Sequence, residues 1–202
     1  VAERAAVIVR REFRTARQAM VPMEGKGVVA RWDNRLDQLI CYSATQAPHM
    51  IRSALAEVLG LEERQVRVVP PDIGGGFGYK NPIQPEEIAV CWLAMHFGQP
   101  VRWTEDRHEH LTAGANAREH HYDLTLYGDD RGRMLGLDAV VTIDAGAYSV
   151  WPNTSTVEGA MAGGILPGPY DLSCYRMRTF TVATNKPPIC PYRSVARTGA
   201  TA

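Results

Sequence analysis

The chain has 202 residues, enough for one large or two small domains with an apolar core. Its 22 basic and 22 acidic side chains cancel, which removes the usual electrostatic case for nucleic acid, a polybasic membrane patch or an acidic tail. No apolar run reaches the length of a membrane span and no charged-then-apolar leader opens the chain, so a soluble, cytoplasmic protein is expected.

Residues 1–40 carry short β-branched bursts at Ala6–Arg10, Gly27–Trp32 and Gln38–Tyr42, with Asp33-Asn34 as a hairpin turn. Pro48 then opens a helix in which Met50, Ile51, Leu55, Val58 and Leu59 recur at helical spacing, and Gly60 closes it. A strand at Val66–Val69 runs into the stretch Asp72-Ile73-Gly74-Gly75-Gly76-Phe77-Gly78-Tyr79-Lys80. Four glycines around one aromatic make a backbone that turns sharply and that another group can approach closely.

A second helix is expected over Pro85–Phe97, with Glu86 and Glu87 in an exposed first turn where carboxylates suit the helix dipole. Its apolar stripe is Ile88, Cys91, Trp92 and Met95, and Gly98 stops it. Val101–Thr104 is a short strand, and Glu105–Asn116 a polar stretch. Longer strands follow at His120–Tyr127 and Leu135–Ile143, an antiparallel pair joined by the Gly128–Gly132 turn. Ser149–Tyr170 reads as a long irregular segment, and Tyr175–Thr184 as a last strand. The expected fold class is therefore α+β: a mixed α/β unit of strand, glycine loop and helix over 1–115, followed by an antiparallel β region over 116–202. A chain that opens on Val1 and stops at Ala202 without a finishing hydrophobic element reads as a segment of a longer polypeptide.

Two nucleotide motifs fail at the glycine loop. Walker A needs Gly-Lys-Ser/Thr, and here Tyr79 follows Gly78 and Asn81 follows Lys80. The dinucleotide fingerprint would require glycine at Tyr79 and an earlier helix start. A simple tight bend and a phosphate-cradling, non-catalytic scaffold remain as alternatives. Cys41, Cys91, Cys174 and Cys190 are widely spaced without a C-x-x-C pair, which speaks against zinc-ribbon or ferredoxin clusters. His108, His110, His120 and His121 invite a zinc reading, but neighbouring residues on a strand face opposite ways, so His120 and His121 do not readily share one metal.

Several motifs in one order resemble a known family across essentially the whole chain. They are Met23-Glu24, Ser43-Ala44-Thr45-Gln46, Gly74–Gly78, Trp103-Thr104-Glu105-Asp106-Arg107, Asp144-Ala145-Gly146-Ala147-Tyr148, Gly168-Pro169-Tyr170, and Thr184-Asn185-Lys186 leading to Tyr192-Arg193. The family is that of the molybdenum hydroxylase large subunits, which includes xanthine dehydrogenase, aldehyde oxidase and aerobic carbon monoxide dehydrogenase. The resemblance implies a molybdenum held by the dithiolene of molybdopterin, as the cytosine dinucleotide, hydroxylating an electron-poor carbon of a small-molecule substrate with water-derived oxygen. It also implies iron–sulfur clusters and FAD on other subunits or domains, in an assembly that dimerises.

By position, Gln46 matches the glutamine that orients an oxygen ligand of the metal. Gly75, Gly76, Phe77 and Gly78 match the loop beneath the metal, and Arg193 the arginine of the second cofactor loop. Tyr192 and Ser194 would flank the metal on the substrate side. Xanthine dehydrogenases carry glutamate where Asn81 stands, which argues against purines. The carbon monoxide enzyme carries a copper-binding cysteine where Ser194 stands, and a hydroxyl does not replace a thiolate for Cu(I). An aldehyde or N-heterocycle is the expected substrate, with a carbon monoxide dehydrogenase large-chain fragment as the alternative. The family's general-base glutamate has no counterpart in the matched stretch, so this segment alone is expected to be inactive.

Overall fold

Glycine and proline punctuation sets most of the element boundaries in the computed structural model, which describes residues 1–152 and 155–201. In chain order the elements are β1 (Val7–Thr15), β2 (Gln18–Ala19), β3 (Gly27–Asp33), β4 (Gln38–Ser43), α1 (Pro48–Leu59), β5 (Val66–Val69) and α2 (Pro85–Phe97). There follow β6 (Val101–Thr104), α3 (Arg107–Ala113), β7 (Asn116–Ala117), β8 (His120–Gly128), β9 (Met134–Gly146), α4 (Ser155–Ile165), β10 (Tyr175–Ala183) and α5 (Arg197–Ala200). Pro48 and Pro85 sit in the first turns of α1 and α2, where a missing N–H breaks no helical bond. Gly60 and Gly98 end the same helices in the left-handed conformation, with φ 68° and 63°. The result is an α+β architecture in two compact units, and no described helix is long and apolar enough to cross a membrane.

One unit holds residues 19–115 with 150–152. Its sheet has the order β5-β4-β3-β6, with β3 antiparallel to β4 and β6, and β5 parallel to β4. A parallel neighbour needs a crossover, and α1 supplies it. Leu39, Cys41, Val28 and Ala30 from the sheet pack with Ile51 and Leu55 of α1 and Val90, Cys91 and Ala94 of α2.

Two expectations about α2 change. Trp92 is half exposed and stacks on His96, while Val90 and Ala94 take the buried face with Cys91. Glu87 is not in an exposed turn. It is 1% exposed and pairs with Lys26 Nζ at 2.6 Å, accepts from Gln84 N at 2.8 Å and from the Ser43 hydroxyl. The polar stretch after β6 also contains a helix, α3, whose start is capped by Asp106 accepting from Glu109 N.

The other unit holds Val1–Gln18, Asn116–Ser149 and the described residues from 155 onward. Its sheet has the order β1-β8-β9-β10. β8 and β9 form the expected antiparallel pair, and β1, from the start of the chain, runs antiparallel along β8. β10 departs from the antiparallel expectation by lying parallel to β9.

The crossover that permits this is α4, in the stretch Ser149–Tyr170 expected to be irregular; positions 153 and 154 lie outside the described residues. Gly159, Gly163 and Gly164 disfavour a helix locally, each by about 1 kcal/mol relative to alanine. Packing reverses the balance: a Cβ at Gly159 would meet Thr181 Oγ1 at 3.2 Å, and one at Gly163 would overlap the Met177 side chain. Gly159 and Gly163 let the helix lie directly on the strands, whereas Gly164 faces open space.

Candidate functional site

The glycine loop follows β5 and folds as a tight turn, with Tyr79 N bonded to Gly76 O at 3.0 Å and Asn81 N to Gly78 O at 3.1 Å. Gly75 and Gly78 take φ 91° and 101°, a region glycine enters freely; Phe77 takes φ 54° and is 42% exposed. Gly76 has no positive φ, and its constraint is space: a Cβ there would overlap the Gln46 side chain.

Gln46 lies against the loop just before α1. Its Oε1 accepts from Gly78 N at 2.9 Å, and its own N donates to Lys80 O at 3.0 Å. Thr45 Oγ1 also donates to Lys80 O, at 3.1 Å, and accepts from Ala47 N. Gln46, Gly75, Gly76, Phe77 and Gly78 are therefore brought together in one unit, with Asn81 half-buried at the end of the turn. The Gly78 N–H is committed to Gln46, which leaves the side-chain amide nitrogen as the end of Gln46 suited to donate to a ligand.

Buried side chains that the sequence reading assigned no role anchor this loop from below. Tyr79 is 2% exposed, donates to Glu105 Oε1 at 2.5 Å, and meets the His110 ring edge-on at 4.4 Å. Glu105 Oε2 in turn accepts from Lys26 N at 2.9 Å and lies 3.1 Å from His110 Nδ1. Lys80 is fully buried with Nζ 3.5 Å from Glu24 Oε1; burial pushes its ammonium below the ordinary lysine range, while Glu24 opposes that shift. Glu24 also accepts from Gly74 N, and a Cβ at Gly74 would overlap its side chain. A hint was present in the sequence, since Glu24 and Glu105 both stand in the recurring motifs, but a lone carboxylate does not reveal its partner.

Tyr192, Arg193 and Ser194 lie in the other unit. Ser194 and Val195 both take positive φ, 75° and 52°, without being glycine. The Ser194 hydroxyl turns back onto Arg193 O and lies 3.3 Å from Thr198 Oγ1. Arg118, which the sequence reading passed over, reaches this loop: its Nη2 donates to Tyr192 O at 2.7 Å and Arg193 O at 2.6 Å.

The histidines separate as strand geometry requires. His120 is 1% exposed, with Nδ1 2.8 Å from Tyr122 Oη and Nε2 3.0 Å from Glu158 Oε1, whereas His121 is half-buried and faces Glu12. His110 is buried against Met20 O and Glu105.

The molybdopterin cofactor-binding domain family matches residues 1–202 of this chain. The chain belongs to this family. It is 34% identical to the large subunit of nicotine 6-hydroxylase of Paenarthrobacter nicotinovorans over 190 residues, 94% of this chain and 23% of that protein. With the carbon monoxide dehydrogenase large chain of Hydrogenophaga pseudoflava it shares 36% over 167 residues, 83% of this chain and 21% of that one. Among solved structures, quinoline 2-oxidoreductase from Pseudomonas putida 86 superposes with a TM-score of 0.92 at 37% identity, covering 96% of this chain and 25% of that chain. This molybdopterin-binding domain thus spans about a quarter of the length of the relatives it matches.

Proposed function

We propose that this domain forms one wall of the molybdenum site of a hydroxylase acting on an N-heterocycle or an aldehyde. The observation that carries the reading is the packing of Gln46 into the glycine loop, with Oε1 on Gly78 N at 2.9 Å and no room for a Cβ at Gly76. The residues fit the cofactor: the loop offers close backbone approach and one neutral amide donor, and the pterin dithiolene supplies the metal's sulfur ligands, so no thiolate or imidazole cage is needed.

When bound, the cofactor supplies the redox chemistry that transfers water-derived oxygen to an electron-poor carbon. The chain's own task is positional. Gln46 Nε2 would donate a hydrogen bond to the bound cofactor without adding charge, and the Gly75–Gly78 backbone would hold the cofactor in close approach. Arg193 belongs to the second cofactor loop, where Tyr192 and Ser194 take substrate-side roles; in the other unit, the same role is assigned to Asn81 at the end of the glycine loop. The cofactor is the cytosine dinucleotide form, and electrons leave through iron–sulfur and flavin partners in a cytoplasmic, dimeric assembly.

The relatives' names favour the heterocycle branch, since nicotine and quinoline are both N-heteroaromatic compounds. Ser194 offers a hard oxygen where a Cu(I) site wants a soft thiolate, which weighs against carbon monoxide. The test is to purify the parent polypeptide with its partners, measure molybdenum and pterin per protomer, and assay quinoline- and aldehyde-type substrates with an artificial electron acceptor. Near-stoichiometric cofactor with heterocycle or aldehyde hydroxylation is expected. A cofactor-free full-length protein would overturn the proposal, and turnover of carbon monoxide alone would overturn the substrate class.

A further inference from the structure

Arg118 is the least explained charged residue beside the second loop. It is 8% exposed, yet its hydrogen-bond partners are all neutral: Gln18 Oε1 at 3.1 Å, Tyr192 O at 2.7 Å and Arg193 O at 2.6 Å. Its guanidinium also lies over the Tyr192 ring, with Cζ 4.4 Å from the centroid. A buried cation held by dipoles and an aromatic face is costly to place unless the geometry it enforces matters.

The geometry it meets is an unusual one. Ser194 and Val195 follow each other in the left-handed region, at φ 75° and 52°, and valine is among the residues least suited to it. Such a conformation persists only where the surroundings over-determine it. Beside the loop's own contacts, Arg197 N and Nη1 on Ser194 O at 3.1 and 3.4 Å and the Ser194 hydroxyl on Arg193 O and near Thr198, the neighbouring Ala196 is buried in the core.

Arg118, by contrast, is rigidly mounted. Asn116 exchanges backbone bonds with Pro188 O and Cys190 N at 2.9 and 2.8 Å, so the two chain segments are already zipped together below the loop. Thr15 Oγ1 of β1 then donates to Arg118 O and accepts from His120 N, both at 3.1 Å. Arg118 is itself left-handed, at φ 60°, which turns it out of the strand run.

We propose that Arg118 is a positioning residue that clamps the carbonyls of Tyr192 and Arg193 and thereby sets the left-handed Ser194–Val195 step on which the second cofactor loop depends. The proposal rests on the assignment of that loop to the molybdenum site. Lysine keeps the charge but lacks the planar fork and the stacking face, so it should not substitute.

The test uses the full parent enzyme with its partners, as wild type, Arg118→Lys and Arg118→Ala. Amide hydrogen exchange at residues 193–197 is the direct readout and needs no bound cofactor. Arg118→Lys should exchange there at least tenfold faster, with internal β8 and β9 amides unchanged. The same variant should keep its molybdenum within twofold, lose at least tenfold in kcat with KM nearly constant, and show an altered molybdenum electron paramagnetic resonance signal. Should Arg118→Ala fail to fold, the lysine variant alone decides. Unchanged exchange at 193–197 would overturn the clamp, as would a uniform rise across β8 and β9, which marks a general packing role. Faster loop exchange with wild-type kcat and signal would overturn the link to the cofactor. A wild-type enzyme without molybdenum would instead sink the functional reading, a result the exchange arm does not depend on.

Discussion

The two loops proposed for the cofactor both use left-handed backbone, but by opposite means. The first places glycine at two of its three left-handed positions, Gly75 and Gly78, with Phe77 as the exception. The second places serine and valine at both of its left-handed positions, Ser194 and Val195. A glycine loop carries its conformational freedom in its own composition, whereas the second loop relies on contacts around it, among them the Arg118 bonds and the burial of Ala196. Local composition advertises the first kind of site and conceals the second.

Removing the buried carboxylate of α2 gives the largest expected effect on stability. Glu87→Ala leaves Lys26 Nζ, 1% exposed, without its carboxylate, and loss of one partner of a buried pair costs about 3–5 kcal/mol. Denaturant unfolding of the parent protein should show a shift of that order; a shift under about 1 kcal/mol would mean that Pro82 O, which Lys26 Nζ already reaches at 3.1 Å, together with water suffices for the ammonium.

Gly76→Val addresses function in the same loop. Its side chain displaces Gln46 rather than fighting a positive φ, so cofactor-dependent activity should be abolished, and normal activity in that variant would refute the placement of Gln46 against the metal site.

An acid titration probes the second unit. Burial, the largest single influence, raises the Asp144 carboxyl, but hydrogen bonds from Lys186, Thr184 and Gly146 N and the Arg17 charge together hold it down at about 2. A depressed carboxyl contributes stability above its unfolded value near 3.8 and loses it as pH falls through about 2. The contribution, about 2 kcal/mol, should vanish across that window and be missing at neutral pH in Asp144→Asn, as urea unfolding at several pH values would reveal. A flat difference between wild type and variant down to pH 2 would exclude this linkage.

The smallest effects carry opposite signs in the two loops. Gly78→Ala, at φ 101°, should destabilise by about 1–2 kcal/mol, whereas Ser194→Gly, at φ 75°, should be neutral or stabilise by up to about 1 kcal/mol. Destabilisation by Ser194→Gly of the same size as by Gly78→Ala would show that the Ser194 hydroxyl contacts matter more than the backbone strain.

Elements whose boundaries rest on single residues were legible in the chain. Pro48 and Gly60 bracket α1, Pro85 and Gly98 bracket α2, and the β-branched run Val66–Val69 leads into the loop as expected. Gln46 and the glycines were found through motif resemblance, and the structure adds the reason they go together, a side chain filling the space a Cβ would take. Elements that depend on distant partners were not legible: α4, whose glycines disfavour a helix until Thr181 and Met177 lie beneath them, and the pairing of β1 with β8. Arg118 was hidden for the same reason, since nothing near it in sequence names Tyr192 or Arg193.

By itself, then, the sequence determined the family, the helix limits and the glycine loop, because proline, glycine and β-branched side chains act on their own backbone. Only the tertiary structure decided that Glu87 is buried on Lys26, that β10 lies parallel to β9, and that Ser194 and Val195 stand left-handed under Arg118. Those features are set by hydrogen bonds and contacts between residues far apart in the chain, whose gains exceed the local preferences they override.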